Sequence, residues 1–312
     1  MNNTMPPLNA LKAFEAAARH LSFTHAAVEM NVTTSALSHQ IRGLEAFFGV
    51  RLFERHTRSI ALTPQGKLLY PGVQAGFGLL KDAVAGLRMT GNDRVLVIST
   101  SPGLTSKWLA SRLHRFADAH TDIEIRVSSS IANANFFTDG VDAAIRNQRV
   151  SQTEDALLSS EKLIGVMLAP VCSPKLLARF GLLDAPGILQ QVPLIHDDSL
   201  TGYPEVPTWY DWLKAARMDG GDLRRGLRFS GADHSLDAAL EGAGLLLAHT
   251  ILAYDDLRSG RLVMPFKVVL PSPRAYHFVC PTSKEKHRNV SAFRDWLQEE
   301  ISRLDLELMG FI

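Results

Sequence analysis

At 312 residues, with 46% hydrophobic and 21% charged side chains, the chain has the size and composition of two or three folded globular units. No stretch approaches the roughly 20 uninterrupted apolar residues of a transmembrane helix. The opening Met1-Asn-Asn-Thr-Met-Pro-Pro7 has neither region of a secretory signal, so a cytoplasmic protein with no membrane partner is expected. The net charge of +1 hides an asymmetry: residues 1–91 carry nine Lys/Arg against five Asp/Glu, the remainder 24 against 27. The N-terminal piece alone leans toward an anionic partner.

In chain order, Leu8, Leu11, Phe14 and Ala18 recur at helical spacing and predict a first amphipathic helix. Ser22 can cap a second, with Ala26, Ala27 and Met30 inward, and Asn31-Val32 makes a tight corner where Asn tolerates a left-handed backbone. Thr33 or Thr34 caps a third helix with the inner stripe Leu37, Ile41 and Leu44, and Gly49 ends it. Two short extended runs, Leu52-Phe53 and Ile60-Ala-Leu62, flank the basic segment Glu54-Arg-His-Thr-Arg-Ser59 and predict a hairpin, or wing. Thr63-Pro64 opens a fourth helix with apolar residues at Leu69, Val73, Leu80, Val84 and Leu87. Gly66, Gly72, Gly76 and Gly78 weaken it by on the order of 1 kcal/mol each. Such a helix needs a partner surface, either a second copy of itself or its own domain.

Beyond Thr90-Gly-Asn-Asp93 the pattern changes. Strands are expected at Val95–Thr100, Ile123–Val127, Val141–Ile145, Leu163–Val171, Pro193–His196, Leu245–Ala248, Leu262–Met264 and Tyr276–Cys280. Helices are marked by Trp108–Phe116, Trp209–Leu213, Leu236–Glu241 and a last segment from Phe293 to Leu304. The alternation implies α/β layers on a mostly parallel sheet.

The chemistry sits first on the third helix. Thr34, Ser35, Ser38 and His39 share the face opposite its apolar stripe, where hydroxyls and an imidazole can meet base edges or phosphates. Arg42, with Arg51, Arg55 and Arg58 at the wing, can hold the DNA backbone. A Ser/Thr-rich helix start is also simply a good cap; spacing, polar face, basic wing and local charge together point to double-stranded DNA. Enzymatic motifs are missing: there is no Gly-x-Ser-x-Gly elbow, His-Glu-x-x-His helix or Walker loop, and Gly242-Ala-Gly244 is no dinucleotide fingerprint. No catalytic residue, cofactor or metal site is therefore expected, and Cys172 and Cys280 read as ordinary buried thiols.

At Leu8 to Ala27, Ser35-Ala-Leu-Ser-His-Gln-Ile-Arg-Gly-Leu-Glu45, Leu52-Phe-Glu-Arg55 and Leu62-Thr-Pro-Gln-Gly66 the chain resembles the LysR-type transcriptional regulators. Within them it looks most like the branch of glycine-cleavage and β-lactamase regulators. Looser counterparts run through Asp139-Gly-Val-Asp-Ala-Ala-Ile-Arg146, Val171-Cys-Ser-Pro174, Gly260-Arg-Leu-Val263 and Ala292-Phe-Arg-Asp-Trp-Leu297. The resemblance implies a winged helix-turn-helix at 1–62, a dimerising linker helix at 63–91 and an effector-sensing α/β domain at 92–312, like a periplasmic solute-binding protein. Its lobe I would be 94–161 with 268–312, and its lobe II 162–267. It implies a small effector, one that can be an anion, between the lobes, touching Thr100 and Ser101. Ser128, Ser129, His196 and Asp197 end strands near the same cleft, and His249 stands at its mouth. It implies a homo-oligomer, a dimer of dimers, on an inverted-repeat promoter site, with RNA polymerase as a further partner. The chain departs from that branch at Asn147-Gln-Arg149 and Ala248-His-Thr250, so effector identity does not carry over. An effector-independent regulator with a degenerate sensor, and more remotely an enzyme acting in the cleft, are the contrasting readings.

Overall fold

A computed structural model describes residues 5–55, 60–88, 94–136, 138–150, 157–181, 188–219 and 222–311. The chain falls into two compact units, residues 1–91 and 92–312.

The first unit is built from α1 (Leu8–His20), α2 (Phe23–Glu29), α3 (Thr34–Phe48), the antiparallel pair β1 (Phe53–Arg55) and β2 (Ile60–Leu62), and α4 (Pro64–Arg88). Each joint has a local cause. The Ser22 hydroxyl accepts from the His25 amide to start α2, and Thr33 accepts from Ala36 to start α3. Asn31 takes the left-handed backbone at φ 54, and Gly49 ends α3 at φ 69. The core buries Phe14, Leu37, Ile41, Leu44 and Phe53, with Phe14 and Phe23 packed on the Phe53 ring. Glu45 at the end of α3 accepts from the Leu52 amide at 2.9 Å and so fixes the wing to the helix. Thr63 Oγ1 accepts from the Gly66 amide and donates to the Arg51 carbonyl at 2.7 Å, tying the start of α4 to the same corner. Gly66 is required there, because a Cβ would lie 2.3 Å from the Leu52 carbonyl oxygen.

The expected stripe of α4 divides. Leu69, Tyr70, Val73 and Phe77 pack against the core of their own unit, whereas Leu80 and Val84 are 53% and 49% exposed. The Leu87 side chain lies outside the described residues.

The second unit carries an eight-stranded sheet in the order β4-β3-β5-β10-β6-β9-β7-β8. Its strands are β3 (Val95–Thr100), β4 (Glu124–Ser129), β5 (Ala143–Arg149), β6 (Leu158–Val171), β7 (Leu194–Asp197), β8 (Leu227–Phe229), β9 (Leu245–His249) and β10 (Leu270–Pro281). The outer triplets β4-β3-β5 and β9-β7-β8 are parallel, whereas β5-β10, β10-β6 and β6-β9 are antiparallel. The sheet is thus mixed rather than mostly parallel, because the long strands β6 and β10 carry the chain between two α/β lobes. No strand forms at Leu262–Met264; Val263 makes a single bridge to Cys172. The helices are α5 (Pro102–Leu104), α6 (Leu113–Ala119), α7 (Pro174–Phe180), α8 (Trp209–Ala216), α9 (Ala232–Leu240), α10 (Thr250–Arg258) and α11 (Arg288–Ser302). The single helix expected around Trp108–Phe116 is broken: α5 continues as a π-turn over Thr105–Leu109, then stops before α6.

Ion pairs join the lobes. Arg112, buried beneath the Trp108 ring, forks onto Asp255 of α10 with two 2.7 Å bonds. Lys107 meets Asp237 of α9, and Glu205 of lobe II takes Arg149 of β5 at 3.0 Å and Arg274 of β10 at 2.9 Å.

Candidate nucleic-acid interface and effector cleft

In the N-terminal unit the apolar stripe of α3 points wholly inward, which leaves its other face free. Thr34, Ser35 and His39 are exposed and Ser38 is half-buried. Ser35 is not independent of the cap, since its hydroxyl lies 3.0 Å from that of Thr33. Arg42 sits one turn beyond Ser38 and folds its Nε toward the Ser38 carbonyl at 3.3 Å. Arg51 is exposed at the start of the wing. Arg55 ends β1 with its side chain outside the described residues, and Arg58 lies wholly outside them. A polar, slim helix face beside an arginine-bearing hairpin is the arrangement by which a helix enters a major groove while the wing meets phosphates. Behind α3, Arg19 bonds both Glu15 and Glu29 and braces α1 against α2. The bond from Arg19 holds the Glu29 carboxyl down at about 2.

In the sensor unit a cavity of about 130 Å³ opens between the lobes. Of the residues expected at an effector, Ser101, Asp197 and His249 line it. Thr100 does not: it is fully buried inside β3, and its hydroxyl has no hydrogen-bond partner among the described residues. Ser128 and Ser129 end the edge strand β4 in exposed positions off the cavity wall, because β4 pairs only with β3. The turn that follows supplies the wall instead, through Ile131 and Asn133. His196 faces a different hollow and bonds the Arg225 carbonyl at 3.1 Å.

Sequence reasoning missed the cations of this cavity. Arg146, at the end of an apolar run in β5, is only 8% exposed and lines the cleft. It donates to Ser99 Oγ at 2.6 Å and to the carbonyls of Ser130 and Ala132, and its Nε has no acceptor among the described residues. No carboxylate among the described residues pairs with it, and burial alone lowers its basicity. Arg274 enters from β10, stacked 3.9 Å over the Tyr203 ring and bonded to Glu205 and to Asn147. The buried His249 imidazole is pushed down to about 4 by desolvation, with Arg274 adding to the effect, and its Nε2 has no partner among the described residues. Two carboxyls, Asp197 and Asp233, also line the cavity, and burial shifts Asp197 the opposite way, so it is a reluctant anion. Tyr276 is buried on the same wall and its phenol is pushed above its ordinary range by desolvation. The signal for Arg146 was present: a charged residue directly after the apolar run Ala143–Ile145, where the parallel pairing of β5 with β3 ends, close to the strand ends at which open α/β sheets bind ligands.

Comparisons with known proteins cover both units. Residues 8–67 match the family model of bacterial regulatory helix-turn-helix proteins of the lysR family, and residues 90–302 match the LysR substrate binding domain. The glycine cleavage system transcriptional activator of Escherichia coli K12 is 36% identical over 297 residues, covering 95% of this chain and 94% of that protein. The HTH-type transcriptional activator AmpR of Pseudomonas aeruginosa is 34% identical over 298 residues, covering 94% and 95%. Among solved structures, the effector domain of that AmpR aligns with a TM-score of 0.54 at 25% identity, over 70% of this chain and 98% of that one. ArgP from Mycobacterium tuberculosis, at 18% identity, shares the fold over 96% of this chain and 99% of its own, with a TM-score of 0.64. No helix among the described residues is long and apolar enough to cross a membrane. With a helix-turn-helix in one unit and a cleft between two α/β lobes in the other, the chain belongs to the LysR family of transcriptional regulators, which bind DNA and small-molecule effectors.

Proposed function

We propose that the effector of this regulator is a small anion, such as a carboxylate, and that Arg146 is its principal anchor. The observation that carries this is a buried guanidinium, facing a cavity, that pairs with no carboxylate among the described residues. An uncompensated buried cation is costly and is relieved by a ligand of opposite charge. Ser101, His249 and Tyr276 supply hydrogen-bonding groups on the same wall.

On the DNA side, Ser38 and His39 read base edges, Thr34 and Ser35 assist the helix start, and Arg42, Arg51, Arg55 and Arg58 hold phosphates. Two copies pair through the exposed half of α4, and two such dimers place winged units on an inverted repeat in the cytoplasm, within reach of RNA polymerase. Ligand entry alters the lobe arrangement and hence the DNA contacts; the reading includes no catalytic step, and turnover of a bound ligand would contradict it. The test is a panel of small carboxylates and their amide isosteres, scored by thermal unfolding of the full chain. A ligand at 100-fold its Kd adds about 2.7 kcal/mol. The expected result is stabilisation by an acid and not its amide, lost in Arg146→Gln. Equal stabilisation by both, or a response indifferent to Arg146→Gln, would defeat the proposal.

A further inference from the structure

Asp197 and Tyr203 line the interlobe cleft, and they also line a second, larger hollow of about 460 Å³. This second hollow lies within lobe II, between the sheet and the segment that leads into α8. Its size is that of a site for a small organic molecule, for which about 300–1,000 Å³ is usual. Its floor is apolar, formed by Leu168, Ile195 and Leu247 from three adjacent strands. Its wall is aromatic, with Trp209 and Tyr210 at the start of α8.

The polar groups at the rim are mostly spoken for. Arg228 forks onto Asp198 at 3.0 and 2.7 Å, His196 bonds the Arg225 carbonyl, and Asp197 accepts from the Ser199 amide at 2.9 Å. Arg224 is the exception: among the described residues its guanidinium has no carboxylate or carbonyl partner. An apolar floor, aromatic walls and one uncommitted cation at the edge define a ligand with a flat hydrophobic body and a single negative group.

We propose that this hollow is a second binding site, for a small aromatic carboxylate whose ring packs on Trp209 and Tyr210 and whose carboxylate meets Arg224. Occupancy is coupled to the cleft through the shared wall. Tyr203 carries Arg274 on its ring at 3.9 Å, and Arg274 lines the cleft cavity. A ligand that shifts Tyr203 therefore changes the cleft's second cation, and by linkage a cleft ligand changes affinity here by the same factor.

The experiment is a fluorine NMR titration of the full chain with 4-fluorophenylacetate, with the neutral 4-fluorobenzyl alcohol as comparator. Arg224 and Tyr210 are exposed, so Arg224→Gln and Tyr210→Ala leave the core packing in place, which thermal unfolding checks. The expected result is saturable binding of the acid, about tenfold weaker for the alcohol and about tenfold weaker in each variant. Arg146→Gln, which removes the buried cation of the cleft, separates the two hollows. Loss of binding in that variant with none in Arg224→Gln would place the probe in the cleft and overturn the proposal, as would a shift that never saturates. Because the two arginines are tested separately, failure here leaves the anionic-effector reading standing.

Discussion

His39 and Arg51 represent two ways a side chain meets DNA, and they separate experimentally. If the exposed His39 reads a base edge from α3, His39→Ala should weaken binding to the cognate site by roughly 1–3 kcal/mol while leaving affinity for random DNA unchanged. Arg51→Ala should weaken both alike and flatten the dependence on salt by about one counterion. Equal losses for His39→Ala on both DNAs would make it a phosphate contact. His249 offers a different residue-scale test. Its imidazole titrates at about 4 in the folded protein against 6.5 when free, because it is buried. The unfolded chain therefore binds more protons between those values, so this residue lowers stability as pH falls from 6.5 toward 4. Below both values the full loss amounts to about 3 kcal/mol. Denaturant melts of the wild type should show that slope, and His249→Gln should reduce it; an unchanged slope would mean that His249 titrates normally.

At the scale of elements, the boundary between turns that pack and turns that do not is most informative on α4. Its first half is held by the core and its second half is bare at Leu80 and Val84. Leu80→Glu with Val84→Glu should leave the melting of the unit nearly unchanged while lowering the mass measured by light scattering. An unchanged mass would remove α4 as the pairing surface. At the other end, Gly66→Ala pushes a methyl into the Leu52 carbonyl and should destabilise the winged unit by about 1–3 kcal/mol, read from its denaturant midpoint. The elements of this unit were legible because caps, corner and stripes are local: Ser22, Asn31, Thr33 and Gly49 each act within four residues of themselves. The α4 stripe was legible only as a period, since which turns find a partner depends on where the core ends. The sensor strands were legible as apolar runs, but β8 is short and has two exposed residues, and Leu262–Met264 has the composition of a strand without a neighbour to pair along. The mixed sheet was hidden for a related reason, because strand direction is a property of the crossover and not of the strand.

On the whole molecule the candidate cleft was the least legible part. Ser101, Asp197 and His249 could be placed from strand ends, but Ser128 and Ser129 could not be told from the turn after them that carries the wall. Arg146 and Arg274 come from strands distant in sequence, where they pair with His277 and Arg149 respectively, and the antiparallel pairing of β5 with β10 brings them to one cavity. The clasp of Glu205 on Arg149 and Arg274 likewise joins elements distant in sequence. A regulator needs this distribution: the DNA-reading helix can be local, whereas a ligand that changes the arrangement of two lobes must touch both.

The most direct measurement is DNA affinity of the full chain at its promoter site, with and without the carboxylate that most raises the melting temperature, in wild type and Arg146→Gln. A ligand-dependent change in affinity or in the spacing of protected half-sites, present in the wild type and absent in the variant, is the predicted result. A confirmed cleft ligand that leaves both unchanged, or a response that survives Arg146→Gln, would contradict the account.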